Sequence, residues 1–244
     1  MGLGKMESFL ANHIEGFFNK KFSSDLEPVE LMHGLEKEIR RQCRGKAGEA
    51  APNNFVITLG TEDYHRLCAQ RIIDELTTYV EKQVIVQDCV MDGQLRLSIG
   101  REETLSRGLY ELTSSYGEAV SEDTEPHTLV LERSHLDPQR PLNLPAEHKF
   151  VSLAVTEGPD EEAYLEFGEK QIYIGRRDKN EFILTDKNAS RLHAWIDYQR
   201  HRHVLHDAQS TNGTFVNGTR VQAACLQPGD EIRIGESLLR YEVI

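Results

Sequence analysis

Four short polar groups between residues 174 and 218 constrain the fold of this chain more than any other feature. Each group lies next to a run of alternating apolar residues, which is the pattern of a β-strand with one buried face. The groups are Gly175-Arg176, Ser190-Arg191-Leu192-His193, Ser210-Thr211-Asn212-Gly213-Thr214 and Asn217-Gly218. Asn-Gly in such a position is a strong signal for a hairpin turn. We therefore expect all four groups on the loops of a β-structure, where binding residues collect on a rigid scaffold.

The side chains of these loops predict an anionic ligand. Arg176 and Arg191 supply guanidinium groups, Ser190 and Thr211 supply hydroxyls, and Asn212 supplies an amide. A phosphoryl group carries close to two negative charges and three acceptor oxygens, and arginine meets it with a fork of donors. The Asn212 amide both donates and accepts, so it suits the backbone of a peptide.

In this order and spacing the four groups resemble the forkhead-associated (FHA) domain, and the resemblance extends over residues 149–244. It implies an all-β sandwich whose end loops bind phosphothreonine peptides. The resemblance also implies the roles of single residues: Arg176 and Ser190 hold the phosphate, and Arg191 touches phosphate or peptide. Thr211 supports the phosphate contact, and Asn212 binds the peptide main chain. An architectural role is implied for Gly175, His193, Gly213, Asn217 and Gly218.

Composition excludes several other classes of function. The formal net charge of -12 is unfavourable for binding DNA, and no apolar run is long enough to span a bilayer. We expect membrane contact only through a membrane-bound partner. The four cysteines form no Cys-x-x-Cys pair, which favours a reducing cytoplasm and argues against a zinc site. The sequence predicts no metal site and no cofactor.

Residues 1–100 predict a small α+β domain with the element order α-α-β-α-β-β. Apolar residues at helical spacing predict an amphipathic helix over 4–22 and a second helix over about 28–44 with a basic end. A third helix is expected from Thr61, which can cap it, to about residue 80. The predicted strands are 55–59, 84–90 and 94–99.

Residues 101–148 have the composition of a linker. They carry 4 basic and 10 acidic side chains, and they hold four of the eight prolines in the chain. Charge and proline at this density disfavour a packed core. We expect a short helix over 101–116 and no regular structure beyond it, so the predicted domains are 1–100, the linker 101–148, and 149–244.

The succession of an α+β domain, a linker and a C-terminal FHA domain resembles the bacterial FhaA-like proteins. The resemblance includes the opening helix Met6-Glu7-Ser8-Phe9-Leu10 and the helix start Pro28-Val29-Glu30-Leu31. It implies a cytoplasmic adaptor in Ser/Thr kinase signalling, with links to the cell envelope or cell division. The implied partner is a Thr-phosphorylated protein, either a Ser/Thr kinase or its substrate.

Three other interpretations stay open at this point. The FHA fold can serve as a scaffold that needs no phosphate, and the basic end of the second helix can bind RNA. Ser190 and His193 suggest a nucleophile, but no oriented carboxylate or nucleophile elbow accompanies them, so we predict no catalytic residue.

His201 and His203 are expected to point to solvent from a hairpin turn, and Trp195 to pack within a strand.

Overall fold

A computed structural model describes residues 26–43, 47–117 and 148–244 of the chain. They form a small α+β domain followed by an all-β sandwich, which confirms the predicted fold class. The predicted opening helix at 4–22 lies outside the described residues. Within the described ranges, no helix has both the length and the apolar character needed to cross a membrane.

The N-terminal domain packs helices on one face of a three-stranded sheet. Its elements are α1 (Pro28–Cys43), β1 (Ala50–Ala51), β2 (Asn54–Leu59), α2 (Thr61–Leu67), α3 (Gln70–Val86), β3 (Val90–Met91), β4 (Arg96–Arg101) and β5 (Tyr110–Ser115). The central strand β2 pairs parallel with β4 and antiparallel with β5. Alternation in β2 buries Phe55, Ile57 and Leu59. Leu35 of α1 and Val80 of α3 belong to the same buried cluster, so the amphipathic helices cover the apolar face of the sheet.

Two predicted elements of this domain are wrong. Of the expected strand at 84–90, residues 84–86 instead form the last turn of α3, and only Val90 lies in a strand, β3. Val84 is buried in the core of the N-terminal domain and Ile85 in the core of the sandwich, and this packing keeps both in the helix. The expected helix at 101–116 does not form: the range begins with the last residue of β4, continues as a turn, and ends in β5, where Tyr110 and Leu112 alternate into the core and pair with β2. The strand β5 thus lies within the predicted linker yet pairs with the N-terminal sheet. The three domain ranges themselves stay predictions.

The third predicted helix is divided in two. A break at Cys68 and Ala69 separates α2 from α3, and Gly60, not Thr61, occupies the N-cap of α2, without a side-chain cap. A second unexpected feature is a disulfide between Cys43 and Cys89, whose Cα atoms are 6.2 Å apart. It joins the end of α1 to the segment after α3, across 46 residues of sequence.

The C-terminal domain is a sandwich of two sheets. Its strands are β6 (Val151–Glu157), β7 (Tyr164–Phe167), β8 (Ile172–Gly175), β9 (Phe182–Ile183), β10 (Ala194–Gln199), β11 (Arg202–Asp207), β12 (Thr214–Val216), β13 (Thr219–Val221), β14 (Ala223–Cys225), β15 (Glu231–Ile234) and β16 (Ser237–Val243). One sheet has the order β14-β11-β10-β8-β9 and the other β13-β12-β15-β16-β6-β7. Alternate residues of both sheets, such as Ile174, Ile196 and Ile232, fill the core between them.

The two domains touch where α3 ends. Ile85 of α3 is fully buried in the core cluster of the sandwich. Arg202 of β11, only 3% exposed, donates to Asp88 Oδ1 at 2.6 Å and to the carbonyl oxygens of Cys89 and Leu226. Since a buried guanidinium needs such acceptors, the N-terminal domain supplies two of the three acceptors of this arginine, whose buried Nε has no hydrogen-bond partner among the described residues.

The turn at Arg200 and His201 continues the contact between the domains. His201 Nδ1 lies 2.8 Å from Glu81 Oε2 of α3, and the Tyr198 hydroxyl donates to the same carboxylate. The predicted solvent-facing histidine turn is therefore wrong, because His201 packs against α3 and His203 is fully buried. Trp195 lies in β10, as expected, and stacks on His206 with a centroid distance of 5.0 Å.

Candidate functional site

Three loops of the sandwich meet at the end of β10 that lies away from the N-terminal domain. Backbone hydrogen bonds tie the loop after β8 to the loop before β10. The Arg176 N–H donates to the Ser190 carbonyl and the Arg177 N–H to the Arg191 carbonyl, both at 3.0 Å. These bonds bring Arg176 to the same end of the sandwich as Ser190 and Arg191, as the sequence predicts.

Gly175 lets the loop after β8 approach the loop before β10, and no other residue fits at this position. Its φ is +149°, and a Cβ at this position would lie 2.7 Å from the Ser190 carbonyl oxygen. It would also lie 2.9 Å from the His193 backbone nitrogen. Glycine is the residue that tolerates both this φ and so close an approach of two backbones. Its predicted architectural role thus has a steric basis.

His193 holds the loop before β10 from inside the sandwich. The Ser190 N–H donates to His193 Nδ1 at 3.0 Å, so the ring hydrogen is on Nε2, which faces the Gly213 carbonyl at 3.3 Å. Burial lowers the pKa of His193 below its ordinary value, which keeps the ring neutral. Both ring nitrogens are engaged with backbone atoms, so this histidine is not placed to act as a general base for Ser190.

Ser190 joins the second loop to the third. Its Oγ accepts a hydrogen bond from the Thr211 N–H at 3.1 Å. A hydroxyl has one hydrogen to donate and two lone pairs, so Ser190 keeps its O–H hydrogen for another acceptor. Asn212 lies next to this contact, and its Nδ2 donates to the Asn188 carbonyl at 2.8 Å. The predicted binding residues therefore occupy three loops that are bonded to one another.

The charged side chains of this loop end face solvent. Arg176 and Arg191 are both exposed, as are Thr211 and Asn212. Among the described residues, neither arginine forms an ion pair with a carboxylate. Two uncompensated guanidinium groups beside a hydroxyl donor make a surface that attracts a doubly charged anion.

Two carboxylates that support these loops had no role in the sequence analysis. Asp207 accepts from the Ser210 hydroxyl at 2.5 Å and from the Thr214 hydroxyl at 2.7 Å. Ser210 Oγ in turn accepts from the Gly213 N–H, so the whole third loop is fixed by Asp207. Burial opposes ionisation of Asp207, but these hydrogen bonds outweigh it and lower its pKa. The spacing Asp-x-x-Ser, typical of side-chain-capped turns, was the signal available in the sequence.

Asp186 has the corresponding role in the second loop. It is 1% exposed, and its Oδ2 accepts from the backbone N–H groups of Glu236 and Ser237 and from the Ser237 hydroxyl. Its Oδ1 accepts from the Asn188 N–H at 2.8 Å. Asp186 thus anchors the segment that leads to Ser190, and its pKa is lowered because these hydrogen bonds outweigh the effect of burial. Glu236 and Ser237 lie about 50 residues away, so no local sequence pattern identifies this contact.

Asn217 and Gly218 form the tight turn between β12 and β13, as expected. Both have positive φ, +49° and +78°, which is the geometry of a type I′ hairpin turn. The Asn217 amide donates to Asp230 Oδ1 at 2.8 Å and accepts from the Glu231 N–H at 3.0 Å. These two residues fix the hairpin that leads to Arg220.

Metal binding and RNA binding find little support in the described residues. They contain no cluster of three or more His, Cys, Asp or Glu side chains that could hold a metal ion. At the basic end of α1, Arg40 pairs with Glu36 and Arg41 with Glu38. The positive charge that an RNA phosphate would need is therefore partly neutralised within the helix itself.

Comparison with known proteins connects both domains to described families. The FhaA N-terminal domain matches residues 3–113, and the FHA domain matches residues 172–235. The oxoglutarate dehydrogenase inhibitor of Corynebacterium glutamicum is 34% identical over 99 residues, which are 41% of this chain and 68% of that protein. The chain belongs to the FHA-domain proteins. This FHA protein also carries an N-terminal domain of the FhaA type.

Two further relatives resemble the C-terminal domain of the FHA protein. FHA domain-containing protein FhaB of Mycobacterium tuberculosis is 35% identical over 93 residues, which are 38% of this chain and 60% of FhaB. The chain therefore spans about 60% of the length of that curated relative. A solved structure from work on phosphothreonine-dependent FHA domain interactions is 34% identical, with a TM-score of 0.36. The match covers 38% of this chain and 95% of that one.

Proposed function

We propose that this FHA protein is a cytoplasmic, phosphothreonine-binding adaptor in bacterial Ser/Thr kinase signalling. The observation that carries the proposal is the hydrogen bond between the Thr211 N–H and Ser190 Oγ. It fixes a hydroxyl with a hydrogen left to donate, at a loop end that also presents Arg176 and Arg191. A phosphoryl group is the protein modification whose charge and acceptor count fit this set of donors.

The comparisons support the same proposal. The FHA domain match spans residues 172–235, which include the three loops described above. We propose that the partner is a Thr-phosphorylated protein, either a Ser/Thr kinase or its substrate. We also propose a role in cell-envelope or cell-division regulation, which the resemblance to the FhaA-like proteins implies. Contact with a membrane would then come through a membrane-bound partner.

Binding of a designed peptide in three forms tests the proposal. The full chain is titrated with a threonine peptide, its phosphothreonine form and its phosphoserine form, and affinity is measured by calorimetry. We expect binding of the phosphothreonine peptide, weaker binding of the phosphoserine peptide, and none of the unmodified peptide. Equal affinity for the phosphorylated and unmodified peptides contradicts the proposal and favours a scaffold that needs no phosphate.

Two variants assign the binding to the predicted residues. Ser190→Ala removes the donor hydroxyl and Arg176→Ala removes a guanidinium. A hydrogen bond to a charged group contributes about 1.5–3 kcal/mol, so each change should weaken binding about tenfold or more. Arg240→Ala is the matched control, because Arg240 is an exposed arginine on β16 that pairs with Glu242. It should leave the affinity unchanged.

The physiological partner is then sought by affinity capture. The full chain is used to capture proteins from a bacterial lysate with and without phosphatase treatment, and the captured phosphosites are read by mass spectrometry. Partners that disappear after phosphatase treatment support the proposed function, and their phosphosites give the sequence preference.

A further inference from the structure

Arg220 lies beside the phosphopeptide loops but has no role in the binding set described above. It is on β13, directly across from Phe215 of β12. Its guanidinium covers Gly213, since a Cβ at that glycine would lie 2.5 Å from Arg220 Nε and 2.9 Å from Nη2. Gly213 follows Asn212 in the chain, and consecutive Cα atoms are about 3.8 Å apart. The Arg220 charge is therefore close to the residue proposed to hold the peptide backbone.

The charge of Arg220 has no counter-ion in the described part of the chain. The side chain is exposed, and it takes part in no ion pair or hydrogen bond with another described residue. Asp207 is the carboxylate that lines the same groove, but Ser210 and Thr214 already donate hydrogen bonds to it. Asp207 is thus committed to the loop, and the exposed Arg220 has no carboxylate partner among the described residues.

A polar groove adjoins this arginine. Its volume is about 820 Å³, and it is lined by Asp207, Gln209, Ser210, Arg220, Val221 and Gln222. The amide groups of Gln209 and Gln222 can each donate hydrogen bonds. The Asp207 carboxylate also lines the groove, but its oxygens already accept hydrogen bonds from Ser210 and Thr214. The groups left for a ligand are the Arg220 guanidinium and the two amides, so the groove suits a carboxylate side chain beside Arg220 better than an apolar one.

A second arginine extends the positive surface on the same face of the sheet. Arg233 of β15 also pairs with Phe215, and its guanidinium carbon lies 3.9 Å from the centre of the Phe215 ring. Phe215 is therefore flanked by an arginine on each side. Two positive charges on one face steer an acidic segment towards the groove.

We propose that Arg220 and its groove bind an acidic side chain of the same phosphopeptide and so select partners with Asp or Glu near the phosphothreonine. This inference rests on the proposed function. An extended peptide advances about 3.3 Å per residue, so the acidic residue lies within a few positions of the phosphothreonine. Arg220 is then a specificity-determining residue, distinct from those that hold the phosphate.

Peptide affinities measured on the full chain test the inference. One phosphothreonine peptide carries alanine at every flanking position, and a series places a single Glu at each position in turn. We expect one or two of the Glu peptides to bind about fivefold more tightly than the alanine peptide, the size of a partly exposed ion pair. Arg220→Gln should remove this preference, Arg220→Lys should keep part of it, and Arg220→Glu should favour a peptide with Lys at that position.

The measured quantity is the ratio of the affinity for a Glu peptide to the affinity for the alanine peptide. A general loss of binding lowers both affinities and leaves this ratio unchanged. Arg240→Gln is the matched control and should keep the wild-type ratio. A ratio near one in the wild-type chain, or an unchanged ratio in Arg220→Gln, overturns the inference. Equal weakening of all peptides in Arg220→Gln also overturns it, because Arg220 then only supports the Gly213 loop. If the wild-type chain binds the unphosphorylated peptides as tightly as the phosphorylated ones, the proposed function is overturned as well.

Discussion

The buried ion pair between Arg202 and Asp88 predicts that the two domains unfold as one unit. Arg202 belongs to the sandwich and is 3% exposed, whereas Asp88 belongs to the N-terminal domain and is 28% exposed. The informative change is Asp88→Asn. Asp88 has a φ of +55°, a conformation that asparagine also tolerates. The variant thus removes the charge without adding backbone strain.

The expected cost follows from what Arg202 keeps. Loss of one partner from a fully buried ion pair costs about 3–5 kcal/mol. Here the amide oxygen of the introduced asparagine can still accept a hydrogen bond, and Arg202 retains the carbonyl oxygens of Cys89 and Leu226. Asp88 is also partly exposed. We therefore expect Asp88→Asn to lower the free energy of unfolding by about 2 kcal/mol, at the low end for a charged hydrogen bond.

Two optical signals report the two domains separately. Trp195 is the only tryptophan of the chain, and it lies in the sandwich. The three helices of the described residues all belong to the N-terminal domain, so far-ultraviolet circular dichroism follows that domain. In urea, both signals should change together in the wild-type chain. Both midpoints should fall together in Asp88→Asn.

A neighbouring ion pair supplies the control. Arg200 and Asp92 also join the two domains, but their side chains are 57% and 52% exposed. Asp92→Asn should therefore cost well under about 1 kcal/mol. Adding Arg202→Met to Asp88→Asn should restore part of the loss, because no buried cation is then left without its carboxylate. The reasoning is refuted if the two wild-type transitions are separate, or if Asp88→Asn and Asp92→Asn are equally mild.

Three further predictions concern single groups. Asp186→Asn should lower the free energy of unfolding by about 2 kcal/mol, measured by urea unfolding. It should also lower the affinity for the phosphopeptide, measured by calorimetry, and an unchanged affinity contradicts the role of Asp186 in placing Ser190. Burial lowers the pKa of His203 to about 4, so the folded state resists protonation that the unfolded state accepts below about pH 6.5, and stability is lost as the pH falls through that window. His203 should contribute about 2 kcal/mol to the loss from pH 7 to pH 5, and His193, whose pKa is also lowered, adds to it. The loss is measured by urea unfolding of His201→Gln, because the raised pKa of His201 acts in the opposite direction; a flat profile contradicts the prediction. Reduction of the Cys43–Cys89 disulfide should lower the free energy of unfolding by about 4 kcal/mol, given its 46-residue separation. The urea midpoint should therefore fall when reductant is added. Cys43→Ala has no such disulfide, so the same fall with reductant in that variant would contradict this cause.

Local sequence patterns were sufficient where local geometry decides the structure. The alternation around Ile172 and Ile174 predicts β8, and the apolar stripe after Pro28 predicts α1. The loop motifs placed Arg176 and Ser190 at one end of the sandwich, because each motif lies at the end of a strand. Their roles in binding phosphate stay predictions, and the peptide titrations test them.

The failures have one physical cause, which is packing between distant segments. Val84 and Ile85 have the β-branched character of a strand, but burial against the core keeps them in α3. The charge and prolines of residues 101–148 concealed β5, whose strand conformation depends on pairing with β2. Asp186 likewise acts through Glu236 and Ser237, some 50 residues further along the chain.

The position of the N-terminal domain on the sandwich sets the reach of the whole molecule. It contacts the turn that follows β10, whereas Ser190 and His193 precede that strand, and six residues of strand span about 20 Å. The described part of the first domain therefore leaves these loops clear for a bound protein. Any second protein held by the first domain would be kept at a fixed offset from it, without the slack of a flexible tether. A fixed separation of this kind raises the local concentration of one bound protein around the other only when the two can meet across the length of the sandwich.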